Sequence, residues 1–210
     1  RPLRLCYAGT TLLASGDPLQ PGRQKTQAGI ECFGAETPDA DAEVIRRSVE
    51  ALQGCVPGDI CVDLMLPGLV ERILEPLPLP NEEKWAIREA AARKDTSQLT
   101  ALPETEATLL RELIEAAGEA QQALTTLEQL ALPESAKPQL AHLHQVVEQL
   151  KDLPLTLDPV ETCGFKYHHL LNFSLFSKTQ QTELARGGRY LLENGEPATG
   201  CTLYVDTLLE

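Results

Sequence analysis

Two polar side chains, Gln27 and Glu31, stand four residues apart in a segment with strand character, 26–33. Because successive side chains of a strand point to opposite faces, Gln27 and Glu31 share one face, with Gly29 between them. An amide and a carboxylate directed the same way can bind an amine or amide ligand, or they can line the solvated side of a sheet. The two residues alone leave both interpretations open.

Two further segments carry groups suited to chemistry. Tyr167-His168-His169 offers hydrogen-bond partners and metal ligands, but adjacent histidines on a strand point to opposite faces and do not converge on one ion. The run RGGRY at 186–190 combines arginines, which bind carboxylates or phosphates, with glycines that allow positive φ and close backbone approach. We predict a turn here, and the run alone is a weak indication of an anion site.

Other motif classes have no support in the sequence. It contains no nucleophile elbow, P-loop, HExxH motif or GxGxxG fingerprint. Six cysteines, at 6, 32, 55, 61, 163 and 201, form no CxxC pair, and only Cys55 and Cys61 approach the spacing of metal ligands. We therefore expect reduced thiols in a cytoplasmic protein, with no metal site and no cofactor.

The charge balance narrows the range of partners. The 210 residues include 18 basic and 31 acidic side chains, so the net charge is 18 − 31 = −13. This excess repels phosphate backbones, and we expect no nucleic-acid partner. No stretch approaches the ~20 consecutive apolar residues of a membrane span, so we expect no membrane partner. Since the chain opens with Arg1 rather than Met, we expect it to be processed or truncated, with an N-terminal part missing.

The elements that would position these residues begin with a hairpin. Strand patterns at 4–13 and 26–33 flank the Gly16-Asp17-Pro18 turn signal. An apolar stripe then predicts a helix from Pro38 to Gly54, followed by a buried strand over 60–65. Two more helices are predicted near 68–74 and over 81–93, the second with Asn81 as its N-cap.

The composition changes in the middle of the chain. From 99 to 153 it is rich in Leu, Ala, Glu and Gln, and Pro103, Pro133 and Pro138 bound three predicted helices. Strand patterns return at 155–157, 170–176 and 202–206. We therefore predict an α+β fold on a mainly antiparallel sheet, with core segments 1–98 and 154–210 around a helical insertion, 99–153.

The order of several short segments resembles a known family. These segments are LCYAG at 5–9, GRQ at 22–24, QAGIE at 27–31, Gly34, the helix start at 39–43, ARGGRY at 185–190, and ATG at 198–200 before Asp206. The set is similar to the core of the class II histidyl-tRNA synthetases. It is more similar still to a paralogous branch, the regulatory subunits of ATP phosphoribosyltransferase. The resemblance covers about 3–210, is weakest in the helical insertion, and implies the class II synthetase fold.

Departures from the synthetase pattern concern its cationic groups. The arginine that grips ATP phosphate in the family's second motif corresponds to Leu13, and the closing arginine of the third motif corresponds to Thr207. A glycine before the latter corresponds to Tyr204, and the arginine of the histidine signature corresponds to Cys163. Without these charges the transition state of adenylate formation goes unstabilised. The resemblance therefore implies no catalytic residues.

The residues at the amino-acid end are retained. By resemblance, Gln27, Glu31 and Tyr167 bind the amino group and imidazole of histidine, and Arg189 underlies that pocket. This implies a non-catalytic regulatory subunit in histidine biosynthesis that binds the short-form catalytic subunit of ATP phosphoribosyltransferase. The resemblance also implies that this subunit forms a homodimer within a cytoplasmic hetero-octamer and that it takes part in allosteric feedback by histidine. The alternatives are a stand-alone aminoacyl-adenylate-forming enzyme and a decayed scaffold that binds another protein.

Overall fold

A computed structural model describes residues 2–14, 23–161 and 170–208. The chain divides into two compact units: the first comprises 1–62 and 173–210, and the second comprises 63–172. The second unit therefore begins before and ends after the helical insertion predicted over 99–153. Within the described residues, no helix is both long enough and apolar enough to cross a membrane.

Helices and strands follow one another along the described residues in an order close to the predicted one. They are β1 (Leu3–Leu12), β2 (Gln24–Phe33), α1 (Pro38–Gln53), β3 (Ile60–Met65), α2 (Gly68–Leu74), α3 (Asn81–Ala92), a 3₁₀ turn (Thr96–Ala101), α4 (Glu104–Glu115), β4 (Gly118–Glu119), α5 (Ala120–Gln129), a 3₁₀ turn (Glu134–Ala136), α6 (Lys137–Gln149), β5 (Leu155–Asp158), β6 (Asn172–Ser177), β7 (Thr182–Leu191), β8 (Pro197–Tyr204) and α7 (Val205–Leu208).

The first unit is built on a sheet in which strands distant in sequence become neighbours. Its order is β1-β2-β8-β7-β6, followed by the beginning of β3. The β1–β2, β2–β8 and β7–β8 pairs are all antiparallel, so the predicted hairpin and the mainly antiparallel α+β fold are confirmed. The predicted Gly16-Asp17-Pro18 turn lies outside the described residues.

The register of these strands divides the sheet into two faces. Helix α1 covers one face with the predicted apolar stripe, in which Val44, Ile45, Val49 and Leu52 are buried. The other face, which we call the site face, carries the side chains that alternate with those against α1. Its central positions are Tyr7 on β1, Gln27, Gly29 and Glu31 on β2, Gly200, Thr202 and Tyr204 on β8, and Gly188 and Tyr190 on β7.

The second unit is mainly helical. The three helices predicted between 99 and 153 correspond to α4, α5 and α6, and their leucine stripes are buried, as at Leu113, Leu127 and Leu143. The short strand β4 pairs antiparallel with β5. Asn81 is the first residue of α3 rather than its cap; Pro80 stands at the cap position, and no side chain caps the helix there.

Two further local predictions were wrong, and both of these lie near the site face. The run 186–189 is not a turn but part of β7. Gly187 serves close packing there, because a Cβ on it would collide with the Gly200 carbonyl and the Phe173 ring. The last strand ends at Tyr204, and Val205 and Asp206 begin α7 instead of continuing it. Asp206 accepts a hydrogen bond from the Thr26 N–H at 3.0 Å, which joins α7 to β2.

Candidate functional site

Glu31 lies at one end of the site face and is held in place by two neighbours. It stands opposite Gly200 of β8, and its carboxylate occupies the space that any side chain at 200 would need. The Tyr190 hydroxyl donates a hydrogen bond to Glu31 Oε2 at 2.8 Å. Burial raises the pKa of Glu31 above its ordinary value, while this hydrogen bond acts in the opposite direction. The result is a fixed acceptor in a partly desolvated setting.

Tyr190 is the polar partner that sequence reasoning did not assign. It lies on β7 opposite Ala198, on the same face as Glu31. Burial, and then the hydrogen bond to Glu31, raise the pKa of its phenol, so Tyr190 remains a donor at neutral pH. Its position in the sequence could have indicated this placement. Tyr190 directly follows Arg189, and consecutive residues of a strand point to opposite faces of the sheet.

Gln27 shares the site face with Glu31, as predicted. It is half-buried on β2, with Gly9 of β1 on one side and Tyr204 of β8 on the other. Tyr204 is thus a bulky neighbour of Gln27 on the adjacent strand. The end of the face near Gln27 is therefore lined differently from the end near Glu31, where Gly200 is paired with Gly188 and is covered by the Glu31 carboxylate.

Tyr7 stands between Gln27 and Glu31. It is opposite Gly29 of β2, and a Cβ built on Gly29 would come within 2.5 Å of Cε1 and Oη of the Tyr7 ring. The Tyr7 hydroxyl lies 2.7 Å from Thr202 Oγ1 on β8, so the side chain reaches across β2 and is hydrogen-bonded beyond it. Gly29 is required here because the ring covers its Cα.

Arg189 lies on the opposite face of the sheet, against the start of α1. Its guanidinium is 1% exposed and forms a two-pronged ion pair with Asp41, with distances of 3.1 Å from Nε to Oδ2 and 3.0 Å from Nη2 to Oδ1. It also donates to the carbonyls of Ala35, at 2.7 Å, and Thr37, at 3.1 Å. Arg189 therefore supports the site by joining β7 to the segment between β2 and α1.

The remaining predicted positions fall at the margins. Tyr167 and Cys163 lie outside the described residues, as do His168 and His169. At the end of β1, the Leu13 carbonyl accepts from Arg23 Nε at 2.9 Å, and the Arg23 Nη2 donates to the Ala14 carbonyl at 3.0 Å. In the described residues, no group of three or more His, Cys, Asp and Glu side chains is placed to hold a metal ion.

The side chains of the site face can hold a small polar ligand by hydrogen bonds. Glu31 supplies a carboxylate acceptor, and Gln27 supplies an amide that both donates and accepts. The absence of a side chain at Gly200 leaves the place that the Glu31 carboxylate occupies.

The fold and the order of these strands define a class II aminoacyl-tRNA synthetase core. A structure from Bacillus halodurans, described as an ATP phosphoribosyltransferase regulatory subunit/histidyl-tRNA synthetase, superimposes with a TM-score of 0.87 at 22% identity and covers all of this chain and 58% of that one. The ATP phosphoribosyl transferase (HisG:HisZ) complex from Thermotoga maritima gives 0.78 at 19% identity over 98% of this chain and 74% of that chain.

The sequence places the chain more narrowly. The family model for histidyl-tRNA synthetase matches residues 1–208, and the chain belongs to that family. A relative from Paramagnetospirillum magneticum, named ATP phosphoribosyltransferase regulatory subunit, is 45% identical over 100% of this chain and 56% of its own length. One of the same name from Rhodospirillum centenum is 40% identical over 100% of this chain and 55% of its length. The chain thus spans little more than half of these relatives.

Proposed function

We propose that the chain is the synthetase-like core of a non-catalytic regulatory subunit of ATP phosphoribosyltransferase. In this role it binds the short-form catalytic subunit in the cytoplasm and contributes to histidine feedback. The observation that carries the proposal is the contrast between the two ends of the site face. Glu31 and Tyr190 form a fixed polar pair at one end. At the other end, by resemblance, Tyr204 and Leu13 correspond to a glycine and an arginine of the synthetase pattern.

The ligand proposed for the retained end is histidine. Glu31 offers its carboxylate to a cationic group, Gln27 offers its amide on the same face, and Tyr167 is proposed as a third contact. Arg189 takes part indirectly, since its guanidinium is held by Asp41 and by the Ala35 and Thr37 carbonyls. A charge-assisted hydrogen bond contributes roughly 1.5–3 kcal/mol, so its loss lowers affinity by about ten- to hundredfold.

The absence of adenylate chemistry is also part of the proposal. Leu13 and Thr207 bring no charge to a triphosphate, and loss of one preorganised contact of this kind lowers a rate by about a hundredfold or more. Histidine-dependent pyrophosphate exchange by the full-length protein is therefore expected at the blank level. Exchange well above blank would replace the proposal with the alternative of an adenylate-forming enzyme.

The partner is proposed from the relatives' names and from the Thermotoga maritima complex. Its test is light scattering on the full-length protein mixed with a purified short-form catalytic subunit at micromolar concentration. We expect a heteromeric species, and the proposed assembly is a hetero-octamer that contains a homodimer of this subunit. Unchanged masses of the two separate proteins would refute the partner assignment.

Histidine binding is tested separately by calorimetric titration into that heteromer. Glu31→Gln removes the charge of the proposed acceptor, while Glu36→Gln is a matched control that removes a charge from an exposed loop position just beyond β2. We expect weaker binding in the first variant and unchanged binding in the second. Equal affinity in both variants and the wild type would remove the site face from the mechanism and favour a scaffold.

A further inference from the structure

The Tyr7 side chain occupies the middle of the site face, and its position follows from the strand register. Tyr7 is opposite Gly29, and Gly29 is opposite Thr202, so the three residues form one line across β1, β2 and β8. Glu31 and Gln27 lie two residues to either side of this line. Three residues lie between them, and the four steps of extended strand from one to the other span about 13 Å along β2.

A ligand that contacts both Gln27 and Glu31 must cross this line. Gly29 offers no side chain there, and the Tyr7 ring lies over it instead. A molecule the size of a free amino acid that bridges the two polar groups therefore rests against the ring. Tyr7 is 38% exposed, so part of the ring is accessible in the described structure.

Thr202 holds the ring in this place. Its Oγ1 lies 2.7 Å from the Tyr7 hydroxyl, and the hydrogen bond connects the edge strand β1 to β8 over the intervening strand. A side chain fixed at both ends loses little rotamer freedom when a ligand binds. Tyr7 is thus a preorganised aromatic surface rather than a mobile cover.

We infer that Tyr7, positioned by Thr202, is a ligand-contacting and specificity-determining residue of the site face. The ring favours ligands that present a cationic or aromatic group above it, such as an ammonium or an imidazole. An amino acid with an aliphatic side chain gains less from the same contact. This inference rests on the proposed function, because it takes the bridging ligand to be histidine.

The test is titration of histidine into the full-length heteromer with variants at the two positions. Tyr7→Leu removes the aromatic ring and is expected to lower affinity by about two- to thirtyfold. Tyr7→Phe and Thr202→Val keep the ring but remove the hydrogen bond, and smaller losses are expected. Cys6→Ala, on the opposite face of β1, is the control and is expected to bind as the wild type does.

A second readout separates contact from mere structural support. Protons of bound histidine that lie against an aromatic ring shift in the NMR spectrum. We expect this shift in the wild type and in Tyr7→Phe, and its loss in Tyr7→Leu. Circular dichroism of each variant checks that it is folded. If Tyr7→Leu does not fold, Tyr7→Phe still provides the test.

The possible outcomes distinguish the inference from the proposed function. If Glu31→Gln weakens binding while Tyr7→Leu and Tyr7→Phe match the wild type in affinity and in proton shifts, the inference is refuted and the proposed function stands. If the wild-type heteromer does not bind histidine, the proposed function fails and the inference fails with it.

Discussion

The buried ion pair between Arg189 and Asp41 makes a quantitative prediction about stability. The two side chains are 1% and 2% exposed, and the arginine also serves the carbonyls of Ala35 and Thr37. Arg189→Met removes all four of these hydrogen bonds and leaves a buried carboxylate without its counter-charge. Removing one partner of a buried pair costs about 3–5 kcal/mol.

This cost is large enough to measure by urea unfolding followed by circular dichroism. With a slope of about 2 kcal/mol per molar urea, the midpoint is expected to fall by about 1.5–2.5 M. The double variant Arg189→Met/Asp41→Leu replaces both charges with apolar groups. We expect it to recover much of the loss, because no buried charge is left unpaired.

Arg4 provides a matched control. It also joins a strand to α1 through a two-pronged contact, with Arg4 Nε 2.7 Å from Glu43 Oε1 and Nη2 2.6 Å from Glu43 Oε2, but its side chain is 54% exposed. Solvent-exposed pairs contribute little. Arg4→Met is therefore expected to leave the midpoint near that of the wild type. If Arg189→Met and Arg4→Met unfold at the same urea concentration, burial is not what gives the Arg189 pair its importance.

Three further predictions concern the site face and the thiols. Burial raises the pKa of Glu31 above 4.5, so the folded protein binds the Glu31 proton more tightly than the unfolded chain does, and the free energy of unfolding declines as pH rises from 4.5 towards the raised pKa. Glu31→Gln is expected to remove this decline in urea titrations from about pH 4 to 7. Parallel pH profiles of the variant and the wild type would contradict the prediction. Gly200→Ala forces the Glu31 carboxylate away from its place and is expected to weaken histidine binding in calorimetry. Gly9→Ala should bind normally, because among the described residues, its chain neighbours aside, no atom lies within 4 Å of the added Cβ; equal affinities of the two variants would contradict the packing argument. Burial raises the pKa of the Cys201 thiol to about 12, so iodoacetamide at about pH 8 should modify the exposed Cys6 and leave Cys201 unmodified until urea is added. Peptide mass spectra that show Cys6 and Cys201 equally modified in the native protein would refute this prediction.

Local patterns in the sequence were sufficient for most elements of the fold. The apolar stripe of α1 and the leucine stripes of α4 to α6 are periodic over several turns, and each predicts a buried helix face without knowledge of the partner surface. The same holds for β3, whose apolar residues and bounds match the prediction.

Long-range packing decided the elements that were predicted wrongly. Paired glycines at 187 and 188 indicate a turn when only their neighbours in sequence are considered. The need for a glycine at 187 comes instead from the Gly200 carbonyl and the Phe173 ring, which lie on two other strands, β8 and β6. In the same way, Asn81 has the side chain of a helix cap, yet Pro80 takes that position and α3 begins without a side-chain cap.

The candidate site was only partly accessible from sequence. Alternation along β2 is enough to place Gln27 and Glu31 on one face. The Tyr190–Glu31 hydrogen bond joins residues 159 positions apart, and the Tyr7–Thr202 bond joins residues 195 apart. Neither follows without the cross-strand register, because a shift of one residue would reverse every face.

Feedback inhibition of the assembled enzyme tests the central claim most directly. The measurement is the rate of ATP phosphoribosyl transfer by the full-length heteromer against histidine concentration, with wild-type or Glu31→Gln regulatory subunit. If histidine acts through the site face, the half-inhibitory concentration rises by about ten- to hundredfold in the variant, with the uninhibited rate unchanged. Superimposable inhibition curves would contradict this account, because histidine would then be sensed without Glu31.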